Sequence, residues 1–255
     1  MERTNRLTFY DHFMLFIKSF FIQALWNYRS MLSLGLCFVL LPVRNKMDRD
    51  SENYSGFVRE NIKFFNAHPY FAGYVIGLLY KLYTEEKGDI GPRVDKLKNL
   101  LISPLGSIGD KLFWENIKPA MMLLAVSGAF LQLLDYPGWV VMLAAFLGYN
   151  IPHLYTRWHG ISLGYWMGFQ IYHKLNFESF EKMSKLYLNI GKVMWVLGFV
   201  LTIIITWINF NWLLIPVFLI NFVLTVFIYH YTYSVFRYLG MLLILNILLT
   251  QIFSG

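Results

Sequence analysis

Residues 193–236 contain no aspartate, glutamate, lysine or arginine, and this uncharged stretch constrains the fold more than any other feature. Ordinary globular chains are about 25% charged, whereas this chain is 57% hydrophobic and only 15% charged. An apolar run of about 20 residues is long enough for one helix to cross a bilayer. The sequence therefore predicts an all-α, polytopic membrane protein rather than a soluble domain.

The apolar segments are short and are broken by glycine, proline and polar residues. A carboxylate at mid-membrane costs about 2.5–3.5 kcal/mol on insertion scales, so Asp135 is expected in a turn at the headgroups. This places a helical hairpin over 117–134 and 139–156. The C-terminal part, 191–255, predicts further transmembrane helices near 193–208, 212–230 and 238–253.

Other segments have the mixed polarity of helices that lie at a membrane surface. Residues 7–26 and 174–190 carry apolar side chains at spacings of three and four, which favours interfacial amphipathic helices. The run 30–43 is too short to span comfortably, so it either joins the preceding helix or is re-entrant. Segments 44–63 and 84–100 are charged and expected outside the bilayer, the second with an apolar stripe of Val94, Leu97, Leu100 and Leu101.

Two glycine ladders have a spacing of four residues. Gly73 and Gly77 form the first, and Gly160, Gly164 and Gly168 form the second. Residues four apart lie on one helix face, and small residues there let two helices approach closely. Each ladder therefore predicts a helix-packing surface.

Charge and motif content exclude several classes of function. The net charge of +7 comes from cations beside apolar segments, which is typical of cytoplasmic loops facing anionic lipid and not of nucleic-acid binding. Cys37 is the only cysteine, so neither an intramolecular disulfide nor a thiolate cluster can form. The histidines show no metal-binding spacing, and no phosphate-binding loop or G-x-S-x-G motif occurs. We expect no catalytic, cofactor-binding or metal-binding residue.

The first candidate binding segment reads F-F-N-A-H-P-Y over residues 64–70. Asn66 and His68 supply hydrogen-bond donors and acceptors that suit the hydroxyls of a sugar. Pro69 favours extended backbone at His68, so the helix is expected to break there. The alternative is an ordinary helix start at which these polar groups satisfy local backbone.

The second candidate segment reads P-L-G-S-I-G-D-K-L-F-W over residues 104–114. Its proline and two glycines predict a loop over 102–110. Asp110 is then either the N-cap of the next helix or an acceptor for a substrate hydroxyl. Trp114, one turn further on, would be a flat apolar wall for a sugar ring. A third segment, 23–28, has the composition of an aromatic membrane anchor or, alternatively, of a binding site.

Several of these segments resemble a known family, the IID membrane subunits of mannose/fructose/sorbose-type phosphotransferase systems. The resemblance rests on Q-A-L-W-N-Y (23–28), F-F-N-A-H-P-Y-F (64–71), T-E-E-K (84–87), S-P-L-G-S-I-G-D-K-L-F-W (103–114) and R-W-H-G-I-S-L-G-Y-W-M-G (157–168). It covers 7–170 well and 191–255 only by apolar character, within one domain over 1–255. The chain departs from the family pattern at Arg29, Lys111 and Lys118.

The resemblance implies a function, a location and partners. A IID subunit lies in the bacterial inner membrane, interlocks with a IIC subunit, and assembles as a trimer of IIC–IID heterodimers. The pair translocates a hexose, which the cytoplasmic IIA and IIB proteins phosphorylate, so IID carries no catalytic residue. On this basis Asn66, His68, Asp110 and Trp114 are expected along the sugar path. The alternatives are a scaffold subunit that stabilises a membrane partner and an intramembrane enzyme.

Overall fold

The computed structural model describes residues 6–47, 49, 51–86, 88–171, 177–208 and 223. Within those residues the secondary structure is helical apart from two isolated β-bridges at Met31, which confirms the all-α prediction for that part. The α-helices, named α1 to α8 in chain order, are Phe9–Ser19, Ser33–Arg44, Glu52–Asn61, Ala72–Glu85, Gly91–Gly109, Lys118–Leu133, Gly138–Met167 and Phe177–Ile208. A π-helical segment, Asp110–Ile117, joins α5 to α6, and a short 3-10 helix, Gly168–Gln170, follows α7.

The two predicted glycine ladders pack against each other, and this contact joins α4 to α7. A β-carbon added at Gly73 would lie 2.7 Å from the carbonyl oxygen of Arg157, and one at Gly160 would lie 3.1 Å from the ring of Tyr74. At Gly77 and Gly164 an added β-carbon would overlap the backbone of the facing helix. Both predicted packing surfaces are therefore confirmed, and they form a single seam.

Gly168 differs from the other members of its ladder because it ends the helix. Its φ of 53° lies in the left-handed region that glycine adopts most readily. It is the C-cap of α7, and a β-carbon added there would lie 3.5 Å from the side chain of Lys81 on α4 and not against the α4 backbone. The second ladder therefore has two packing positions, and its third glycine is a helix terminator.

The predicted helical hairpin is present as α6 and α7. Asp135 lies in the turn between them with a φ of 60°, and the backbone N–H of Tyr136 donates to the carbonyl of Leu131 over 3.0 Å. The second arm is longer than predicted, because α7 continues beyond residue 156 to Met167. Packing of Gly160 and Gly164 on α4 accounts for this extension.

The predicted loop over 102–110 is wrong. Residues 102–109 belong to α5, which contains Pro104 in its interior, and Asp110 continues the helix with φ −61° and ψ −50°. Proline removes one helical hydrogen bond, but Leu101 and Leu105 bury one face of α5 around it. Tertiary packing of that apolar face outweighs the local preference of proline and glycine for a loop.

Two further boundaries differ from the prediction. The described part of the amphipathic segment, 177–190, and the apolar segment 193–208 belong to one helix, α8. The run 30–43 neither joins α1 nor forms part of it, because turns separate α1 from α2. In the stripe of 84–100, Val94, Leu97 and Leu101 are buried as expected, whereas Leu100 is exposed.

Across the described residues, none of the helices combines the length and the hydropathy that a membrane crossing requires. The predicted spans 212–230 and 238–253 lie outside the described residues, apart from Val223.

Candidate functional site

His68 lies in the segment that connects α3 to α4, and this segment is not helical. Its backbone pairs with the turn before α2, because the N–H of Leu32 donates to the carbonyl of Phe65 over 2.9 Å. The carbonyl of His68 then accepts from the N–H groups of Phe71 and Ala72, at 2.9 and 3.1 Å, where α4 begins. The predicted break at His68–Pro69 is confirmed, and it presents the imidazole at a helix start.

The imidazole of His68 is buried against the π-helical segment, with 1% of the residue exposed. It stacks on the ring of Phe113, at a centroid distance of 5.4 Å and an interplanar angle of 17°. It also meets the ring of Trp114 at 5.0 Å. A β-carbon at Gly109 would overlap the β-carbon of His68, so only glycine permits this approach.

The π-helical segment is held in its wider register by Asn116. Its amide Nδ2 donates to the carbonyl of Lys111 over 2.6 Å and to the hydroxyl of Ser184 on α8 over 2.8 Å. Asn116 is buried, so these bonds are shielded from competing solvent. π-helical turns are rare and occur frequently at functional sites. This one carries both Asp110 and Trp114.

Three of the four predicted site residues meet at the junction of α5 and the π-helical segment. His68 contacts Trp114, and Asp110 directly follows Gly109, the residue that abuts His68. Trp114 is 50% exposed, and Asp110 is half-buried. Asn66 is exposed two residues before His68. The prediction that Asp110 is an N-cap is wrong because its backbone is helical, and its role as a hydroxyl acceptor stays a prediction.

The structure adds to this region four residues that were not among the predicted site residues, although Tyr70 lies within the F-F-N-A-H-P-Y segment. The ring of Tyr70 lies 4.9 Å from that of His68 and 4.5 Å from that of His153 on α7. The guanidinium carbon of Arg157 lies 4.9 Å from the Tyr70 ring. Tyr70 also shares a hydrogen bond of 2.6 Å between its hydroxyl and that of Tyr149. Tyr70 is thus the centre of a cluster that links α7 to the His68 segment.

Arg157 is a buried base of α7, and its guanidinium lies against the C-terminus of α1. Its Nη1 donates to the carbonyl of Ser19 over 2.6 Å and to the Ser19 hydroxyl over 3.1 Å. The carbonyls at a helix C-terminus carry partial negative charge and favour a cation. A helical projection could have found this residue, since Arg157 lies four residues after His153 and three before Gly160 on the buried face of α7.

Three buried polar atoms around Tyr70 have no hydrogen-bond partner among the described residues. They are Nε2 of His68, Nδ1 of His153 and Nε of Arg157. An unpaired buried polar atom costs about 1–3 kcal/mol. Their concentration around one tyrosine sets this cluster apart from an ordinary core.

Among the described residues Lys98 is the other buried lysine or arginine, and it lies in a network of hydrogen bonds and ion pairs. Its ammonium donates over 3.1 Å to the carbonyl of Glu60, in the last turn of α3, and over 2.9 Å to that of Lys63, just beyond the helix. Lys63 in turn forms ion pairs with Glu60 and Asp95. Burial lowers the pKa of Lys98 from 10.5 to about 8, although Asp95 opposes the shift. The hydrogen bond to Asp95 raises the pKa of Lys63 above its ordinary value.

A largely apolar cavity of about 550 Å³ lies elsewhere, between α4, α7 and α8. Tyr74, Pro152 and Met183 are among its lining residues. None of Asn66, His68, Asp110 and Trp114 lines it. The cavity and the predicted site are therefore separate features of the described structure.

Comparison with protein families identifies one match. The family described as the PTS system mannose/fructose/sorbose family IID component matches residues 6–215. The chain is 27% identical over 188 residues to the fructose permease IID component of Bacillus subtilis (strain 168), covering 72% of this chain and 66% of that protein. It is 28% identical over 191 residues to the mannose-specific EIID component of Escherichia coli (strain K12), covering 71% and 64%. These matches therefore span less than two thirds of the two relatives.

Two solved structures resemble the fold. One, described as the structure of a membrane protein, has a TM-score of 0.60 at 26% identity and covers 76% of this chain and 70% of its own. The other is a chain of the mannose transporter ManYZ in complex with microcin E492, with a TM-score of 0.55 at 24% identity, covering 74% and 69%. At that identity the second match supports the fold alone.

Proposed function

The chain belongs to the mannose/fructose/sorbose family of phosphotransferase-system IID components, and from that membership we propose that it is a sugar-translocating subunit of a membrane permease. The family match over residues 6–215 confirms the resemblance seen in the motifs. The relatives are described as components for fructose and mannose. We propose a hexose as the substrate, and uptake assays with individual sugars identify which one.

The proposed position of the substrate path rests on the contact between two motif segments. The segments F-F-N-A-H-P-Y-F and G-D-K-L-F-W are separated by 37 residues in sequence, yet His68 of the first packs on Phe113 and Trp114 of the second. Their meeting point combines a broken helix start with a π-helical segment. Such irregular backbone at membrane depth is tolerated where it is buried in protein or lines a cavity.

Each predicted residue has a chemical role in this proposal. The carboxylate of Asp110 accepts hydrogen bonds from sugar hydroxyls, and the exposed amide of Asn66 both donates and accepts. The exposed face of Trp114 offers an apolar wall to a sugar ring. His68 is buried, so we propose that it orients this surface by stacking on Phe113 and contacts the sugar only if the site opens.

The chain is proposed to act with partners and without chemistry of its own. The partners are a IIC membrane subunit, arranged as a trimer of heterodimers, and the cytoplasmic IIA and IIB proteins. IIB transfers the phosphoryl group to the arriving sugar, so no residue of this chain is catalytic. The location is the bacterial inner membrane, with several crossings and with the charged segments 44–63 and 84–100 outside the hydrocarbon core.

Uptake of mannose, fructose and sorbose by cells that contain the complete system tests this proposal. His68→Ala and Asp110→Ala are each expected to abolish uptake while the IIC–IID complex still co-purifies. The matched controls are His159→Ala on α7 and Glu115→Ala, an exposed carboxylate in the same π-helical segment. Wild-type uptake in both test variants would remove these residues from the path.

Purified IIC tests the alternative that this chain is only a scaffold. If IIC alone binds sugar with the affinity of the pair, the scaffold function is favoured. If IIC binds only when this chain is present and Asp110 is intact, the translocating function is favoured.

A further inference from the structure

We propose that Arg157 is a positioning residue, which acts through Tyr70 to hold His68 against the π-helical segment. This proposal refines the proposed sugar path, and its importance for transport rests on that function. Its structural content, that one base on α7 orders the segment between α3 and α4, stands independently.

The anchor is the C-terminus of α1. Arg157 Nη1 donates to both oxygens of Ser19, and the hydroxyl of Ser19 is itself fixed by donating to the carbonyl of Phe16 over 2.7 Å. The guanidinium is planar and holds its donors in a rigid fork. The hydrogen bonds to Ser19 therefore set the orientation of the guanidinium plane, and this orientation decides which side chains its two faces contact.

The guanidinium contacts two aromatic rings at equal distance. Its central carbon lies 4.9 Å from the ring of Phe20 and 4.9 Å from the ring of Tyr70. A cation–π contact is stronger where the cation is desolvated than at an exposed site. Arg157 is 4% exposed, so its guanidinium is shielded from solvent, and the position of the Tyr70 ring depends on it.

Tyr70 passes this constraint to His68. The backbone N–H of Tyr70 donates to Nδ1 of His68 over 3.3 Å, and the two rings meet edge to face at 4.9 Å. The ring of Tyr70 also packs on Phe113 at 4.8 Å. His68 is thereby enclosed between Tyr70 and the π-helical segment, with Gly109 closing the remaining side.

The charge of Arg157 distinguishes this role from simple packing. No carboxylate pairs with Arg157 within the described ranges, and residues 209–255 contain no acidic residue. A buried cation without an ion-pair partner is expensive. The described contacts that compensate it are the α1 carbonyl and the two rings, so they couple α1, α7 and the His68 segment.

Hydrogen exchange measured by mass spectrometry on the complex tests the structural content without any sugar. The informative amides are those of Tyr70, Phe71 and Ala72, which donate to His68. Arg157→Gln is expected to speed their exchange at least about tenfold, because opening of the turn becomes easier. Arg157→Lys keeps the charge and loses the planar face, and an intermediate increase is expected.

Lys98→Gln is the matched control, because it also removes a buried base at a helix C-terminus. It is expected to speed exchange near residues 57–63 and to leave the His68 turn unchanged. Unchanged exchange at the turn in Arg157→Gln would overturn the proposal. An equal increase throughout the chain would overturn it as well, because that result indicates general destabilisation.

Transport kinetics form the second arm of the experiment. In Arg157→Lys we expect the KM for the transported sugar to rise at least about fivefold while the maximal rate changes less, since a misplaced site mainly weakens binding. A KM unchanged in a variant whose His68 turn exchanges faster would overturn the link to transport. If the wild-type system transports none of mannose, fructose and sorbose, the proposed function fails, and the exchange arm still decides the positioning role.

Discussion

Arg157 and Lys98 are both buried bases that bind carbonyls at or just beyond the C-terminal end of a helix, yet their surroundings differ. Lys98 lies beside Glu60, Lys63 and Asp95, where charges of both signs are paired. Arg157 lies among aromatic rings and two imidazoles, and three polar atoms there lack a hydrogen-bond partner among the described residues. The Lys98 region leaves one buried polar atom, Oδ1 of Asn61, without a partner and pairs its charges, whereas the Arg157 cluster leaves three such atoms and no described ion pair. Since each unsatisfied buried group calls for an explanation, this concentration indicates a role beyond stability.

The largest difference between the regions is expected from their tyrosines. Tyr70→Leu removes the ring between Arg157 and His68, and uptake is expected to fall by at least about 30-fold, equivalent to about 2 kcal/mol. Tyr83→Leu removes a buried tyrosine whose hydroxyl accepts from Asn61 over 2.8 Å in the Lys98 region. It is expected to lower the unfolding temperature and to leave uptake per folded complex near wild type. Equal losses of uptake in Tyr70→Leu and Tyr83→Leu would contradict the proposed difference between the Arg157 and Lys98 regions.

The pH dependence of stability separates the two bases next. The pKa of Lys98 is about 8 in the folded chain and 10.5 ordinarily, so the unfolded chain binds more protons between those values. Stability therefore rises with pH across that window. Relative to Lys98→Gln, the wild type is expected to gain about 1–3 kcal/mol from pH 7.5 to 10, since one unit of pKa is worth about 1.4 kcal/mol.

The same comparison with Arg157→Gln is expected to show no such gain, because a guanidinium keeps its proton throughout this range. Thermal unfolding of the detergent-solubilised chain measures both differences. If the stability difference between the wild type and Lys98→Gln did not change with pH, the ammonium of Lys98 would be better solvated than the structure indicates.

The π-helical segment provides a smaller test. Asn116→Ala removes the amide that bonds Lys111 and Ser184, so the wider register loses its support and Trp114 moves. We expect sugar affinity to weaken about fivefold, or about 1 kcal/mol, the usual worth of a buried hydrogen bond. Asn150→Ala is the control, since Asn150 also donates to a helical carbonyl, that of Phe146, but at an exposed position.

The smallest effect is expected from Tyr70→Phe. This change keeps the ring and removes only the hydroxyl that shares a hydrogen bond with Tyr149. Uptake is expected to change by only about twofold, because a neutral hydrogen bond at the low end of its range is worth about 0.5 kcal/mol and the ring contacts of Tyr70 are kept. A loss as large as that of Tyr70→Leu would assign the role of Tyr70 to its hydroxyl instead of its ring.

Local sequence rules predicted those features that depend on spacing alone. The glycine ladders and the turn at Asp135 follow from periodicity and charge, and both are present. The loop over 102–110 failed because Pro104 was judged by its local preference, while Leu101 and Leu105 stabilise a continuous helix. The division between 174–190 and 193–208 failed for a related reason, since a change from mixed to apolar composition does not end a helix.

The Arg157 cluster could not be predicted from local motifs. Arg157 and Ser19 are 138 residues apart, and nothing in either segment specifies that they meet. The helical projection of α7 contains part of the answer, because His153 and Arg157 share the face of the glycine seam. The projection does not show which segments face His153 and Arg157, because that depends on how α1 and α4 pack around α7.

The central claim is that the F-F-N-A-H-P-Y-F and G-D-K-L-F-W segments line one sugar path. Its most direct test is the rate of thiol modification at Asn66→Cys and Trp114→Cys in the assembled complex, in a Cys37→Ala background. The best transported of mannose, fructose and sorbose, at saturating concentration, should slow modification at both positions, and should leave unchanged the rate at Trp139→Cys, an exposed position at the start of α7. Modification of all three cysteines at the same rate with and without sugar would contradict the account.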